Sequence, residues 1–516
     1  MDYPVKNRKF IAIAVVFGAF LSVMDVSVVN VALPHMMGNF GQTLSAITWV
    51  ATSYSIAEII MVMMTGWLSR LFGRKKLYLF SFALFTVGSA LCATAHTFPQ
   101  MIIYRVIQGI GGGCLIPISQ AILRETFPPK QQGMAMAFFG MGVVLAPAIG
   151  PVIGGWLTDH YGWPWIFYIN IPFSLVGMLM INAFVHDPHY LKRGVSKIDW
   201  FGIALLTIGL TGLQIFLERG QESNWFESGT ITATAIVTAL ALTIFVIREL
   251  MVKDPIVNFR LLKDIRLSVG SIMVFLFGIA LFGTTFVLPQ FTQQLLGYPA
   301  FEAGLVLLPR AMMLFCCMPI VGFLFNHLNP RWMIIFGISV IFVTYMQLAH
   351  LSLDASFMNL VPILVLMGVG MPFMFVTLST TALISIPREE MTQASGIYTL
   401  AQRVGGNVGY AFIATIIARR FEVHRAHLIE HINPYNPYFT HFSQQFTGFF
   451  ASQGMGPVIA ARRLLEVTNR LVGRHAMMLA YNDSSWLLGM LFLAILPLTF
   501  LLPSKRPSHK IDAPAH

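Results

Sequence analysis

The stretch Gly66-Trp67-Leu68-Ser69-Arg70-Leu71-Phe72-Gly73-Arg74-Lys75 joins two long apolar windows, 47–69 and 77–95. Its glycines permit a tight turn and close helix approach. Its cations suit helix ends and anionic lipid headgroups. Part of the stretch returns as Gly322-x-Leu324 with Arg331, and other pairs keep step with it: Leu33-Pro34 with Leu288-Pro289, Gln108-Gly109-x-Gly111 with Met367-Gly368-x-Gly370, and Phe127-Pro128 with Ile386-Pro387. The offset stays between 255 and 259. Six membrane spans need only about 175–190 residues in a chain with turns this short, so the repeat predicts two six-helix bundles separated by an inserted helix pair.

Composition sets the solvent for these windows. The 516 residues are 56% hydrophobic and 11% charged, with a mean hydropathy of +0.71, more than a soluble core can hide. A membrane helix takes roughly 20 apolar residues, and the pattern predicts fourteen spans, near 11–33, 47–69, 77–95, 99–122, 134–156, 164–185, 200–217, 230–248, 268–289, 303–325, 332–351, 358–384, 395–418 and 480–502. The first window is long, carries an acid and lacks a small-residue cleavage site, so it reads as a retained span. Cys92, Cys114, Cys316 and Cys317 all lie in apolar windows and read as packing residues.

The formal charge of +11 resides mainly in short turns, which excludes a nucleic-acid reading and orients the helices. Lys6, Arg8 and Lys9, then Arg70, Arg74, Lys75 and Lys76, then Arg124 and Lys130, then Lys192, Arg193 and Lys197 fall on the side of the termini, whereas 35–46, 96–98 and 157–163 hold no Lys or Arg. The positive-inside rule makes the terminal side cytoplasmic. Residues 419–479, expected to be a periplasmic loop, carry seven arginines against that trend, but charge bias weakens in a loop of this length. The expected organisation is a cytoplasmic N-terminus (1–9), an N-terminal bundle (10–186), linkers with the inserted pair (187–266), a C-terminal bundle (267–502) and a cytoplasmic tail (503–516).

Two acids fall well inside spans, Asp25 and Glu58. A charge near the bilayer midplane costs about 3 kcal/mol or more, so each is expected to face a cavity or a partner. At about 1.5 Å per residue, both lie near the depth of Arg105 in span 4. An adjacent arginine favours a charged carboxylate and desolvation a neutral one, so movement between wet and dry surroundings can load and unload a proton; a static buried ion pair is the alternative. Arg310 and Arg403 are the remaining buried cations. In span 5, Gly142, Ala146, Gly150 and Gly154 recur every fourth residue, a spacing that lets helix backbones pack closely.

These motifs carry a resemblance. The Gly66–Lys75 stretch resembles the signature loop of the major facilitator superfamily, with Arg70 where the family normally has Asp, which puts the family's usual latch in doubt. Arg105-x-x-Gln108-Gly109 is similar to its span 4 motif, and Gly150-Pro151-Val152-Ile153-Gly154-Gly155 to the motif of its antiporters. Met24-Asp25-Val26-Ser27-Val28-Val29-Asn30-Val31-Ala32-Leu33-Pro34, together with Glu218-Arg219-Gly220 and Asn433-Pro434-Tyr435-Asn436-Pro437, resembles the EmrB-type branch of the fourteen-helix drug:proton antiporters.

The resemblance implies an all-α major facilitator fold and a proton-coupled exporter of lipophilic drugs or fatty-acid-like compounds in a bacterial inner membrane, driven by the proton gradient without cofactor or metal. On this reading Asp25 and Arg105 carry the proton; Glu58 joins them for its depth in span 2, since no family motif supports it, and Asn30, Gln108, Arg310 and Arg403 are cavity candidates. Gly66, Gly73, Arg74, Lys75, Gly142, Gly150, Pro151, Gly154 and Gly155 serve the conformational change. EmrB-type proteins work with a periplasmic adaptor and an outer-membrane channel, which makes the aromatic segment with Tyr435, Tyr438 and Phe439 the candidate adaptor contact.

Two alternatives differ in kind. An importer or metabolite permease would share the fold, since fold alone does not give direction. An intramembrane enzyme would need a catalytic set, and the sequence holds no His-Glu-x-x-His, Gly-x-Ser-x-Gly or Walker A string.

Overall fold

The computed structural model describes residues 7–187 and 198–502, so Lys6, Lys192, Arg193, Lys197 and the tail 503–516 lie outside the described residues. Twelve helices are long and apolar enough to cross a membrane: α1 (Arg8–Phe40), α2 (Ser45–Phe72), α3 (Arg74–Ala93), α4 (Phe98–Thr126), α5 (Gln132–Tyr161), α6 (Trp165–Phe184), α7 (Trp200–Arg219), α8 (Gly229–Met251), α9 (Ile265–Leu295), α11 (Pro330–Leu348), α12 (Phe357–Ala382) and α15 (Pro457–Leu501). The 17-residue apolar α10 (Leu308–Leu324) and the 40-residue α13 (Met391–Glu430) stand at the places of the two other expected spans. α14 (Pro437–Ser452) lies between α13 and α15.

Local chemistry marks the helix ends. Gly73 turns the chain from α2 into α3 with φ +87°, a conformation that glycine adopts without Cβ strain. Thr97 and Gln100 form a capping box on α4, and the Asp199 and Asp264 side chains accept backbone amides at the starts of α7 and α9. Prolines 34, 147, 151, 289, 319, 362 and 372 lie inside helices, which membrane helices tolerate where neighbours satisfy the freed carbonyls. Ser27 does so in part, donating to the carbonyl of Pro147 at 3.2 Å.

The internal repeat is visible as equivalent packing. α5 lies along α1 in the first half as α13 lies along α9 in the second. A Cβ on Gly142, Gly150 or Gly154 would press on Val16, Ser27 or Val28 of α1, whereas one on Gly155 would meet only Val31 at 3.9 Å. In the second half, Gly405 and Gly409 stand against the backbone of Phe275 and Ile279. Close backbone approach is the main source of helix association where lipid is as apolar as the side chains.

The inserted pair α7–α8 sits at the rim. The most apolar windows of these two helices are 33% and 22% buried, against 72% for α1, so most of their surface is left for lipid. α7 nevertheless touches both halves, through α2 and α13.

The halves close on one another at the terminal face, where α1 begins and α15 ends. There α5 meets α10, with Gly133 and Gly322 facing each other, and a Cβ on Gly66 would strike Gln393 of α13. Arg74 donates to the carbonyl of Arg388, and Arg124 to those of Ser379 and Thr380 in the last turn of α12. A guanidinium there also complements the negative end of that helix.

One expectation needs correction. The tenth span is not one helix over 303–325: a short helix, Ala300–Leu305, precedes α10, whose first turn holds Pro309, and proline belongs at a helix start because it lacks an amide hydrogen. Residues 419–479, expected as one segment between two spans, are helical for most of their length. α13 continues to Glu430, α14 follows, and α15 begins at Pro457. His424 and Arg420 of the α13 extension both meet Asp483 of α15.

Candidate functional site

Asp25 sits in the middle of α1 with its side chain fully enclosed. Arg105 Nη1 lies 2.6 Å from its Oδ2, and Oδ1 accepts from Gln108 Nε2 at 2.8 Å and Asn170 Nδ2 at 2.7 Å. Gln108 also donates to Ser89 of α3, and Arg105 Nε to the carbonyl of Val50 in α2. α4 and α6 thus meet α1 at one carboxylate, and α2 and α3 hold its two α4 partners in place. Every contact to Asp25 itself is a hydrogen bond to charge, the kind worth most in a low-dielectric interior.

Glu58 forms a second centre beside the first. Its Oε1 lies 2.7 Å from Arg403 Nη2 of α13 and 3.2 Å from the Ser22 hydroxyl. Ser22 is 3.4 Å from the Tyr54 hydroxyl, and the Arg105 guanidinium stands over the Tyr54 ring at 4.3 Å. The two carboxylates are therefore joined by a short polar bridge. Glycines of α4 bring Glu58 this close: a Cβ on Gly109 or Gly113 would run into the backbone of Tyr54 or Glu58.

The structure thus brings Asp25, Arg105 and Glu58 together, and adds Gln108 to the Asp25 cluster and Arg403 to Glu58. Asn30, farther along α1, is exposed. Arg310 is buried in the C-terminal half, within electrostatic reach of Tyr345. Sequence reasoning missed Asn170, Ser22 and Tyr54. It also missed a polar chain at the edge of the inserted pair, where Glu218 of α7 accepts from Thr52 of α2 and from Gln214, and Gln214 accepts from Asn407 of α13. An uncharged amide inside an apolar window was the available signal for Asn170.

The signature loop makes its own contacts. Arg74 pairs with Glu125, the Lys75 backbone amide donates to Asp187, and Lys75 Nζ donates to the carbonyl of Asn182 at 2.6 Å. Arg70, standing where a carboxylate is usual, donates to the carbonyl of Pro255 at 2.8 Å. The loop is thereby tied to the linker that follows α8. At the far end of the molecule, Tyr435 and Tyr438 are 95% and 86% exposed, while Phe442, Phe446 and Phe450 follow one another along α14 with tilted rings and Phe439 is half-buried.

Two helical bundles related by an internal repeat, with charge pairs enclosed at mid-depth, have the architecture of a membrane transporter. The chain belongs to the major facilitator superfamily, whose model matches residues 15–410, and within it to the EmrB-type branch. It is 32% identical over 487 residues to the multidrug export protein EmrB of Haemophilus influenzae, covering 94% of each chain. It is 30% identical over 520 residues to the fatty acid resistance protein FarB of Neisseria gonorrhoeae, covering 99% of each. Among solved structures, the proton:xylose symporter XylE superposes with a TM-score of 0.61 at 13% identity, covering 96% of each chain, a likeness of fold.

Proposed function

We propose that this chain exports lipophilic compounds, drugs or fatty-acid-like molecules, in exchange for protons, by alternating access of its two halves. The observation that carries this reading is the enclosed Asp25 bound to Arg105, next to the Glu58–Arg403 pair that crosses from one half to the other. Protonation of Asp25 cancels the charge that holds Arg105, Gln108 and Asn170 in place. Protonation of Glu58 weakens the ionic tie between the halves. Both events favour rearrangement at mid-depth, and both reverse when the proton leaves.

The bias of Lys and Arg toward the terminal face supports a cytoplasmic assignment for that face. Closure there then leaves the opposite side to release cargo. The exposed Tyr435 and Tyr438 on the helical projection support docking of a periplasmic adaptor, and through it an outer-membrane channel.

The test is transport in proteoliposomes with an imposed pH gradient, using ethidium and laurate as probes. Gradient-dependent accumulation by the wild type and its loss in Asp25→Asn are expected. Accumulation that ignores the gradient, or survives unchanged in Asp25→Asn, would overturn the reading.

A further inference from the structure

The inserted pair is fastened unequally to the two halves. Toward the N-terminal half, Arg219 donates to the carbonyl of Ser45 at 2.6 Å and to the Thr48 hydroxyl at 3.3 Å, and lies 5.4 Å from the Trp49 ring centre. Ser45 donates to Glu222 at 3.1 Å, and Thr52 donates to Glu218. Toward the C-terminal half, the same helix makes one side-chain bond among the described residues, from Asn407 Nδ2 to Gln214 Oε1 at 2.6 Å.

That bond sits one helical turn from Arg403 on the same face of α13. Gln214 is buried, and its other end is also engaged, Nε2 donating to Glu218 Oε1 at 3.0 Å. Thr52, Glu218, Gln214 and Asn407 therefore form a continuous chain across α2, α7 and α13. Burying the Gln214 amide is unfavourable unless it is hydrogen-bonded, so its bond to the partly buried Asn407 favours one rotation and height for this part of α13.

We infer that Gln214 is a positioning residue for the Glu58–Arg403 pair: by holding Asn407 it sets the turn of α13 that delivers Arg403 to Glu58. The inserted pair, anchored on the N-terminal half, thereby governs how firmly the halves are tied at mid-depth. This rests on the reading of Glu58 as a group that gains and loses a proton. The charged and titratable groups around Glu58 are Arg403 and, next to it, Tyr410 from α13, Tyr54 from α2, Asp25 from α1 and Arg105 from α4, with Glu218 of α7 at the far end of the chain.

The test is the thermal unfolding midpoint of the purified full-length protein as a function of pH, which reports the titration of Glu58 by linkage and needs no substrate. Glu58→Gln is expected to remove one step from the profile. Gln214→Leu is expected to move that step by about one pH unit, as altered pairing of a carboxylate does, and the exchange Gln214→Asn with Asn407→Gln to bring it back. If Gln214→Leu yields too little protein, Asn407→Ser breaks the same bond from α13 and is read the same way. A profile lowered uniformly with its step unmoved means that the bond only supports the fold, and overturns the inference alone. A profile that Glu58→Gln leaves unchanged overturns the reading of Glu58 beneath it.

Discussion

Arg403 and Glu58 belong to opposite halves of the molecule, 345 positions apart in sequence, and their side chains meet at 2.7 Å with little access to solvent. Removing one partner of such a pair leaves a buried charge without compensation, at a cost of about 3–5 kcal/mol. Arg403→Ala should therefore lower the unfolding midpoint sharply, and Glu58→Gln combined with Arg403→Gln should lower it less than the single changes summed. A double-mutant cycle on purified protein measures this; strictly additive losses would mean that the pair is not coupled.

Asn170 offers a milder intervention at the Asp25 cluster. Asn170→Leu deletes one of the three donors to Asp25 while leaving Arg105 and Gln108 in place. A hydrogen bond to a charged group contributes about 1.5–3 kcal/mol, so proton-driven ethidium transport should fall by roughly ten-fold or more. Initial rates in proteoliposomes of matched protein content provide the check, and a rate equal to wild type would remove Asn170 from the site.

Much of this architecture was legible in the sequence, for definite reasons. Apolar windows and the repeat offset are properties of long segments, so they predicted the helices, twelve of which are long and apolar enough to cross a membrane, and pointed to an extra pair at α7–α8. Asp25 and Arg105 stood out because charges inside spans are costly. The Glu58–Arg403 contact was not legible, because hydropathy that is high all around a helix does not say which faces meet. Glu218, two residues from the start of a turn, passed for a helix-end residue; only the fold shows its carboxylate turned onto Thr52 and Gln214.

The stripe on α5 makes a graded steric prediction. Gly150→Val should separate α5 from α1, because even a Cβ would come within 2.6 Å of Ser27, whereas Gly155→Ala has 3.9 Å to the nearest atom. Overpacking typically costs about 1–3 kcal/mol. Thermal unfolding should show a clear loss for the first variant and almost none for the second; equal effects would contradict the assigned helix contact.

Gly66 tests closure of the terminal face. Its missing Cβ leaves room for Gln393, whose Cα would otherwise lie only 2.8 Å away. Gly66→Ala should push the halves apart there and expose buried Thr392. A cysteine at position 392 should react several-fold faster with a hydrophilic thiol reagent in the Gly66→Ala background, and an unchanged rate would show that the contact does not hold the face shut.

Asp199, at the entrance to α7, gives the pH prediction. The hydrogen bonds from Arg248 hold its carboxyl below the usual range, assisted by the backbone amide of Gly202 and opposed by partial desolvation. A lowered folded-state value means that the stabilisation is fully present above the unfolded value of about 3.9 and is lost as pH falls through the lower folded value. Hydrogen exchange of α7–α8 should accelerate over that acidic window in the wild type, and Asp199→Asn should flatten this dependence.

The unbroken run of α13 from Met391 to Glu430 has a mechanical meaning. From Arg403 to the tip at Glu430 is about 40 Å at 1.5 Å per residue, longer than the roughly 30 Å hydrocarbon layer. The helix is a lever with its short arm at the charge pair and its long arm outside the membrane, beside the segment that displays Tyr435 and Tyr438. If Glu58 lets go of Arg403, a tilt of about 5° there becomes a displacement of about 3 Å at that tip. Any protein seated there would feel the state of a single buried carboxylate as a movement of its own footing.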